Sequence, residues 1–145
     1  MLSSFGITVS TISLLLSLSL LYLSYYDLKL SNNKISKKIY KFAFSQILFT
    51  FLSFITLIIA YVISDFSLIN VYENSHTTKP LFYKISGAWG NHEGSLLLWI
   101  NILVLFSSLF LFLTKNNDKS FKILTLLFQN LLITTFLIFL LTNSN

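Results

Sequence analysis

The residues of this chain best placed to do chemistry stand in one string, Trp89-Gly90-Asn91-His92-Glu93-Gly94-Ser95-Leu96-Leu97-Leu98-Trp99. A histidine, a carboxylate, two glycines and both tryptophans of the protein fall within these eleven residues. They sit where a polar stretch gives way to unbroken apolar sequence, and ionisable groups kept at a membrane surface are costly without a purpose. If a helix ran back through the glycines, Trp89, His92, Leu96 and Trp99 would share one side, within roughly 80° of arc at the 100° helical step. A plainer alternative makes the tryptophans interface aromatics, Glu93 a cap and His92 an ordinary surface residue. Gly90 followed by Glu93 resembles a capping arrangement, and a carboxylate suits a helix N-terminus. His76 stands in a polar turn and reads as a loop residue. Two histidines without a third ligand at motif spacing do not make a zinc site. Cysteine is absent, so the polypeptide has neither disulfides nor thiol chemistry.

The elements that must carry this string are read from composition. Of 145 residues 54% are hydrophobic and only 10% charged, and the mean hydropathy is +0.76. A soluble globule carries about 25% charged residues. Four apolar runs occur, Ile7–Tyr26, Phe42–Ile63, Ser95–Leu113 and Phe121–Leu141, free of ionisable residues except Lys122 at an edge. About 20 helical residues cross a bilayer core, and within lipid the backbone must satisfy its own hydrogen bonds. The expected fold is therefore an all-α integral membrane protein, four transmembrane helices with a long outer loop, 65–94, between the second and third.

Lysine sets the expected orientation. Lys29, Lys34, Lys37, Lys38 and Lys41 lie between the first two runs and Lys115, Lys119 and Lys122 between the last two, opposed by Asp27 and Asp118 alone. The middle link carries Lys79 and Lys84 with Asp65, Glu73 and Glu93. This asymmetry puts both short links inside and both termini and the 65–94 loop outside. It accounts for the net charge of +5 without any nucleic-acid partner, and the first inner link is suited to anionic lipid heads. The ten basic residues are all lysine, and Asn, Ile, Phe and Leu abound, a bias typical of AT-rich mitochondrial or endosymbiont genomes. The N-terminus lacks a basic or Arg-rich leader, so no cleaved targeting peptide is expected.

Along the first run Ser3, Gly6, Ser10, Ser13, Ser17 and Ser24 fall on three- and four-residue steps interrupted by Leu20, a seam for close helix packing. Gln129 and Asn130, mid-way along the fourth, are expected to hydrogen-bond to another helix. The loop of about thirty residues is too long for a passive connection. Its 66–72 stretch is β-branched and aromatic and could run extended, 74–80 is turn-like, and 81–89 reads as a short surface helix with Phe82, Ile85 and Trp89 in step.

On these residues the chain resembles the CcmF family, the haem lyase component of type I cytochrome c maturation in bacteria and in plant and protist mitochondria. Asp65-Phe66, Asn74-Ser75, Pro80 with Tyr83-Lys84, and above all Trp89-Gly90 followed by His92 to Trp99 carry it, over about 35 residues from Asp65 to Trp99. The order of spans and the outward N-terminus agree over the whole chain. The family often has Asn at the position of His76 and Leu at that of Lys79, so neither takes a carried-over role. Its tryptophan-rich haem-handling segment and haem-ligating histidines are absent, and the chain stops at Thr142-Asn143-Ser144-Asn145 where the next outer loop should begin. A split gene, known in some mitochondrial lineages of this family, would produce such a fragment.

The resemblance implies an N-terminal subunit of a lyase that joins haem vinyl groups to the two thiols of a Cys-x-x-Cys-His site in apocytochrome c, on the outer side. It makes Trp89, His92, Glu93 and Trp99 candidates for the haem or apocytochrome vestibule, with Gly90, Gly94 and Ser95 shaping the motif. No catalytic or metal residue is assigned to this chain. Haem is expected to be handled by the complete assembly and not held tightly here. The implied partners are the lyase fragments with the tryptophan-rich segment, apocytochrome c, haem delivery proteins and membrane lipid. The implied location is the mitochondrial inner membrane, or a bacterial inner membrane, with the loop toward the intermembrane space or periplasm. An alternative is a structural assembly subunit without haem contact. An energy-converting subunit is disfavoured, since proton relays need ionisable groups that these spans lack.

Overall fold

The computed structural model describes residues 2–30, 34–114 and 118–143; Lys115 of the second short link, Ser144 and Asn145 lie outside the described residues. Six helices follow one another: α1 (Leu2–Lys29), α2 (Lys37–Ile63), α3 (Ile69–Asn74), α4 (Leu81–Gly87), α5 (His92–Leu113) and α6 (Lys119–Asn143). Among the described residues there is no strand. The four long helices α1, α2, α5 and α6 are each long and apolar enough to cross a membrane. Their termini are fixed by local chemistry. Ser36 caps α2 by accepting the Lys38 N–H at 3.4 Å, and Ser64 ends it in the left-handed region at φ 56°, its own N–H turned back to Ala60 and Tyr61.

The long helices form a closed ring in which α1 packs on α2 and α6, and α5 on the same two. The serine row does what its spacing suggests. Ser10, Ser13, Ser17 and Ser24 are buried, with Leu20 in the same row fully covered. Ser10 Oγ lies 2.7 Å from Ser53 Oγ on α2, and Thr134 Oγ1 of α6 donates to Ser17 Oγ at 2.9 Å. The row continues into Asp27, buried at 4% exposure. Its carboxylate accepts the Ser36 N–H at 3.2 Å and pairs with Lys119 at 3.7 Å, so one acid ties the start of α2 and the start of α6 to the end of α1.

Two expectations fail. Asn130 donates to Leu126 O of its own helix, and its Oδ1, like Gln129 Oε1, is buried with no partner among the described residues. The cross-helix contact from α6 comes from Thr134 instead, whose single hydroxyl proton is shared between Asn130 O of its own helix at 2.7 Å and Ser17 Oγ on α1 at 2.9 Å. The 66–72 stretch is not extended: it ends in α3. An Asp65–Ser67 turn and the Tyr61 hydroxyl, whose one proton reaches Asn70 Oδ1 with Asn70 O also close by, curl the chain, and the helical turn buries Val71 against Ala60, Tyr61 and Ala88. Hydrogen-bonding and burial here override β-propensity.

Candidate functional site

At the loop end of the bundle four polar side chains from three elements interlock. The Tyr61 hydroxyl of α2 donates toward Asn70 Oδ1 at 2.6 Å and accepts from Asn91 Nδ2 at 2.6 Å. Asn70 of α3 donates to Glu93 Oε2 at 2.7 Å and to Asn91 Oδ1 at 3.1 Å. Asn91 Oδ1 also accepts the Gly94 N–H at 2.7 Å, which makes Asn91, not Gly90, the cap of α5. Glu93 stands in the first turn of α5, where the exposed N–H ends of the helix favour a negative charge.

The glycines divide. A Cβ on Gly94 would lie 1.7 Å from Ala88 O, a backbone atom, so only a hydrogen fits where the chain folds back on itself. At Gly90 a Cβ would meet nothing closer than 3.6 Å, and no glycine has positive φ. Ser95 is occupied locally, its N–H on Asn91 O and its hydroxyl on His92 O.

Helix does not run back through the glycines. α4 ends at Gly87, residues 88–91 turn, and α5 begins at His92. Trp89 therefore leaves the face of His92 and Trp99 and packs its ring 6.4 Å from that of Phe54 on α2. The reason is the pair just described, since the Asn91 cap and the Ala88–Gly94 contact together force a reversal. His92, Glu93, Ser95 and Trp99 remain together, lining an open groove of about 400 Å³ with Phe139, Leu140 and Asn143 of α6. Trp99 is 61% exposed, and the exposed His92 imidazole has no hydrogen-bond partner among the described residues. On the bundle side, Glu93 and Leu140 also border a partly open cavity of about 80 Å³ lined by residues of all four long helices together with Leu68 and Asn70. Farther out, the Asp65 carboxyl is held below its ordinary value by the Ser67 hydroxyl and then by the Ser67 N–H. His76 is exposed in its turn.

The chain is 48% identical over 103 residues to the cytochrome c-type biogenesis protein CycK of Bradyrhizobium diazoefficiens, covering 71% of this chain and 16% of that one. It is 35% identical over 94 residues to CcmF of Haemophilus influenzae, covering 65% and 14%. No family model matches. In structure it superimposes on the cytochrome c haem lyase CcmF with a TM-score of 0.79 and 26% identity, over 99% of this chain and 24% of that one. The chain belongs with the CcmF-type cytochrome c biogenesis proteins. It spans a small part of the length of these relatives, and the relatives named here are bacterial.

Within this CcmF-like chain, reading the motif for chemistry singled out Glu93 and passed over its holders, Tyr61, Asn70 and Asn91. Asn91 was the discoverable one: an asparagine three residues before a glycine at the head of an apolar run is an N-cap signal. Asn70 and Tyr61 carry no such signal, because their role exists only once α3 folds under α2.

Proposed function

We propose that the chain is the N-terminal subunit of a divided cytochrome c haem lyase and helps attach haem to apocytochrome c on the outer side of the membrane. The observation that carries this is the division of labour within the motif. The fold consumes Asn91, Glu93, Gly94 and Ser95 in hydrogen bonds or close packing, yet leaves His92 and Trp99 presented in a groove. That groove suits one edge of a planar apolar macrocycle. Trp99 and Phe139 offer ring faces, His92 one imidazole, and Asn143 a polar rim. With one imidazole in an open groove the site is part of a shared one, and the remaining lyase fragments, which bear the tryptophan-rich segment, complete it. Haem is the substrate, and its vinyl groups take the thiols of apocytochrome c. This chain's part is to hold an edge and exclude water while haem delivery proteins and apocytochrome c approach. Trp89, stacked toward Phe54 and 40% exposed, lies at the side of this vestibule as a contact for a partner chain.

The lysine bias supports placing the groove on the outer side. Wholly lysine basic residues and abundant Asn, Ile and Phe support a mitochondrial inner membrane. The test is holocytochrome c yield with the assembled complex intact. His92→Ala and Trp99→Ala should lower it about two- to tenfold, the worth of one ring contact of about 0.5–1.5 kcal/mol. An unchanged yield in both would overturn the reading.

A second reading, an assembly subunit without haem contact, draws on the same knot of Tyr61, Asn70, Asn91 and Glu93, which is structural. Photo-cross-linking from position 92 separates the two: a scaffold yields no adduct with haem or apocytochrome c.

A further inference from the structure

Far from the motif, at the lysine-rich end, the surface between α1 and α2 holds an open groove of about 660 Å³. Leu15, Leu18, Leu23 and Phe42 line it with Ser19, Tyr22 and Lys38. Along α1 the lining runs from Leu15 to Leu23, about 12 Å at ~1.5 Å per residue. It thus descends from the charged end into the apolar part of the span. We propose that this groove binds one anionic phospholipid, phosphate on Lys38 and the Tyr22 hydroxyl, acyl chain along the leucines.

The charge pattern chooses this occupant. The beginning of α2 carries Lys37, Lys38 and Lys41, all exposed, and its first turn has no acidic residue. Cations at a helix N-terminus are opposed by the helix's own partial positive charge, so this end lacks an anion. The carboxylates nearby do not supply it. Asp27 is buried and engaged by Lys119 and the Ser36 N–H, and Asp118 makes no ion pair with Lys37, Lys38 or Lys41 among the described residues. Lys29, at the end of α1, lies over the Tyr25 ring at 4.6 Å and adds to the same positive field. Tyr22 is 68% exposed and stacked on Tyr26 at 6.5 Å, a pair of rings at the level of the lysines, where an amphipathic ring meets a headgroup. A free phosphate would satisfy the lysine but leave the leucine-lined wall bare. A zwitterionic lipid would fill the wall but return no net charge.

The experiment is native mass spectrometry of the full chain released from detergent, with phosphatidylglycerol, phosphatidylcholine of the same acyl chains, or inorganic phosphate added. The expected result is a single retained lipid that saturates at one per chain with phosphatidylglycerol and is about fivefold weaker with phosphatidylcholine. Lys38→Gln should reduce retention by about the same factor, the worth of one lysine against an anionic headgroup. Lys79→Gln, at the other end of the molecule, should leave retention unchanged. Leu18→Trp should abolish it by filling the groove while every lysine stays in place, and circular dichroism verifies that each variant keeps its helices. Equal retention of the two lipids, displacement of lipid by inorganic phosphate, or full binding by Lys38→Gln would each overturn the proposal.

Discussion

Gly94 and Gly90 look interchangeable on paper and are opposites in space. Gly94→Ala forces the Ala88 carbonyl to move, and overpacking of this kind costs about 1–3 kcal/mol. Gly90→Ala meets only ordinary contacts and should unfold with wild-type chain in detergent. A Gly90→Ala variant that is stable but poor in holocytochrome c yield would mark the outer face of Gly90 as a partner contact. Asp65 provides the acid response of the loop. Its carboxyl is lowered by Ser67, so the stabilisation it gives is present above its ordinary value of 3.8 and is lost as the pH falls below that, through the lowered value of the folded chain. Thermal unfolding of Asp65→Asn should therefore fall below wild type at neutral pH and converge with it in acid. At this scale residue type drew attention to Glu93, which accepts from Asn70, and passed over Asn91 and Asn70. A single sequence shows which side chains are ionisable, but not which amides a fold-back will bring against them.

Among the elements, the four long helices were the most legible, since apolar length alone separates a span from anything else. The serine row of α1 was legible too, and for a physical reason: small residues on three- and four-residue steps have few uses other than close approach. Ser13→Leu should destabilise the bundle by about 1–3 kcal/mol, whereas Ser4→Leu, on an exposed position, should leave it unchanged; reversible unfolding in mixed micelles distinguishes them. The short elements were harder. Composition of 66–72 suggested an extended run, and the Tyr61–Asn70 bond with the contact of Val71 against Ala60 and Ala88 makes a helical turn the better choice. Asn130 was misjudged for a similar reason. An amide mid-span can turn to its own carbonyl ladder, which costs no partner, and here it does.

For the molecule as a whole, charge placed along the sequence becomes charge sorted between two ends. One end gathers lysines around buried Asp27 and its partner Lys119; the other gathers the amides and Glu93. Asp27→Asn removes the negative charge beside Lys119 and should cost about 1–3 kcal/mol of bundle stability, with the loop-end knot unaffected. Hydrogen–deuterium exchange resolves the difference, with faster exchange at the starts of α2 and α6 and none added at α3. Asp27 was counted at the sequence level only as a stray acid among lysines. Its depth at the foot of the serine row depends on α1, α2 and α6 converging, which no local pattern announces.

The knot has one more bearing, on gene architecture. Asn70 clasps Asn91 and Glu93 across an exposed turn that contains His76 and Lys79. A backbone nicked within that turn would still be fastened on both sides, by the clasp above and by α1 against α6 and α2 against α5 below. The two cut pieces would stay joined without a peptide bond. A fold fastened in this manner is already tolerant of being encoded in separate lengths.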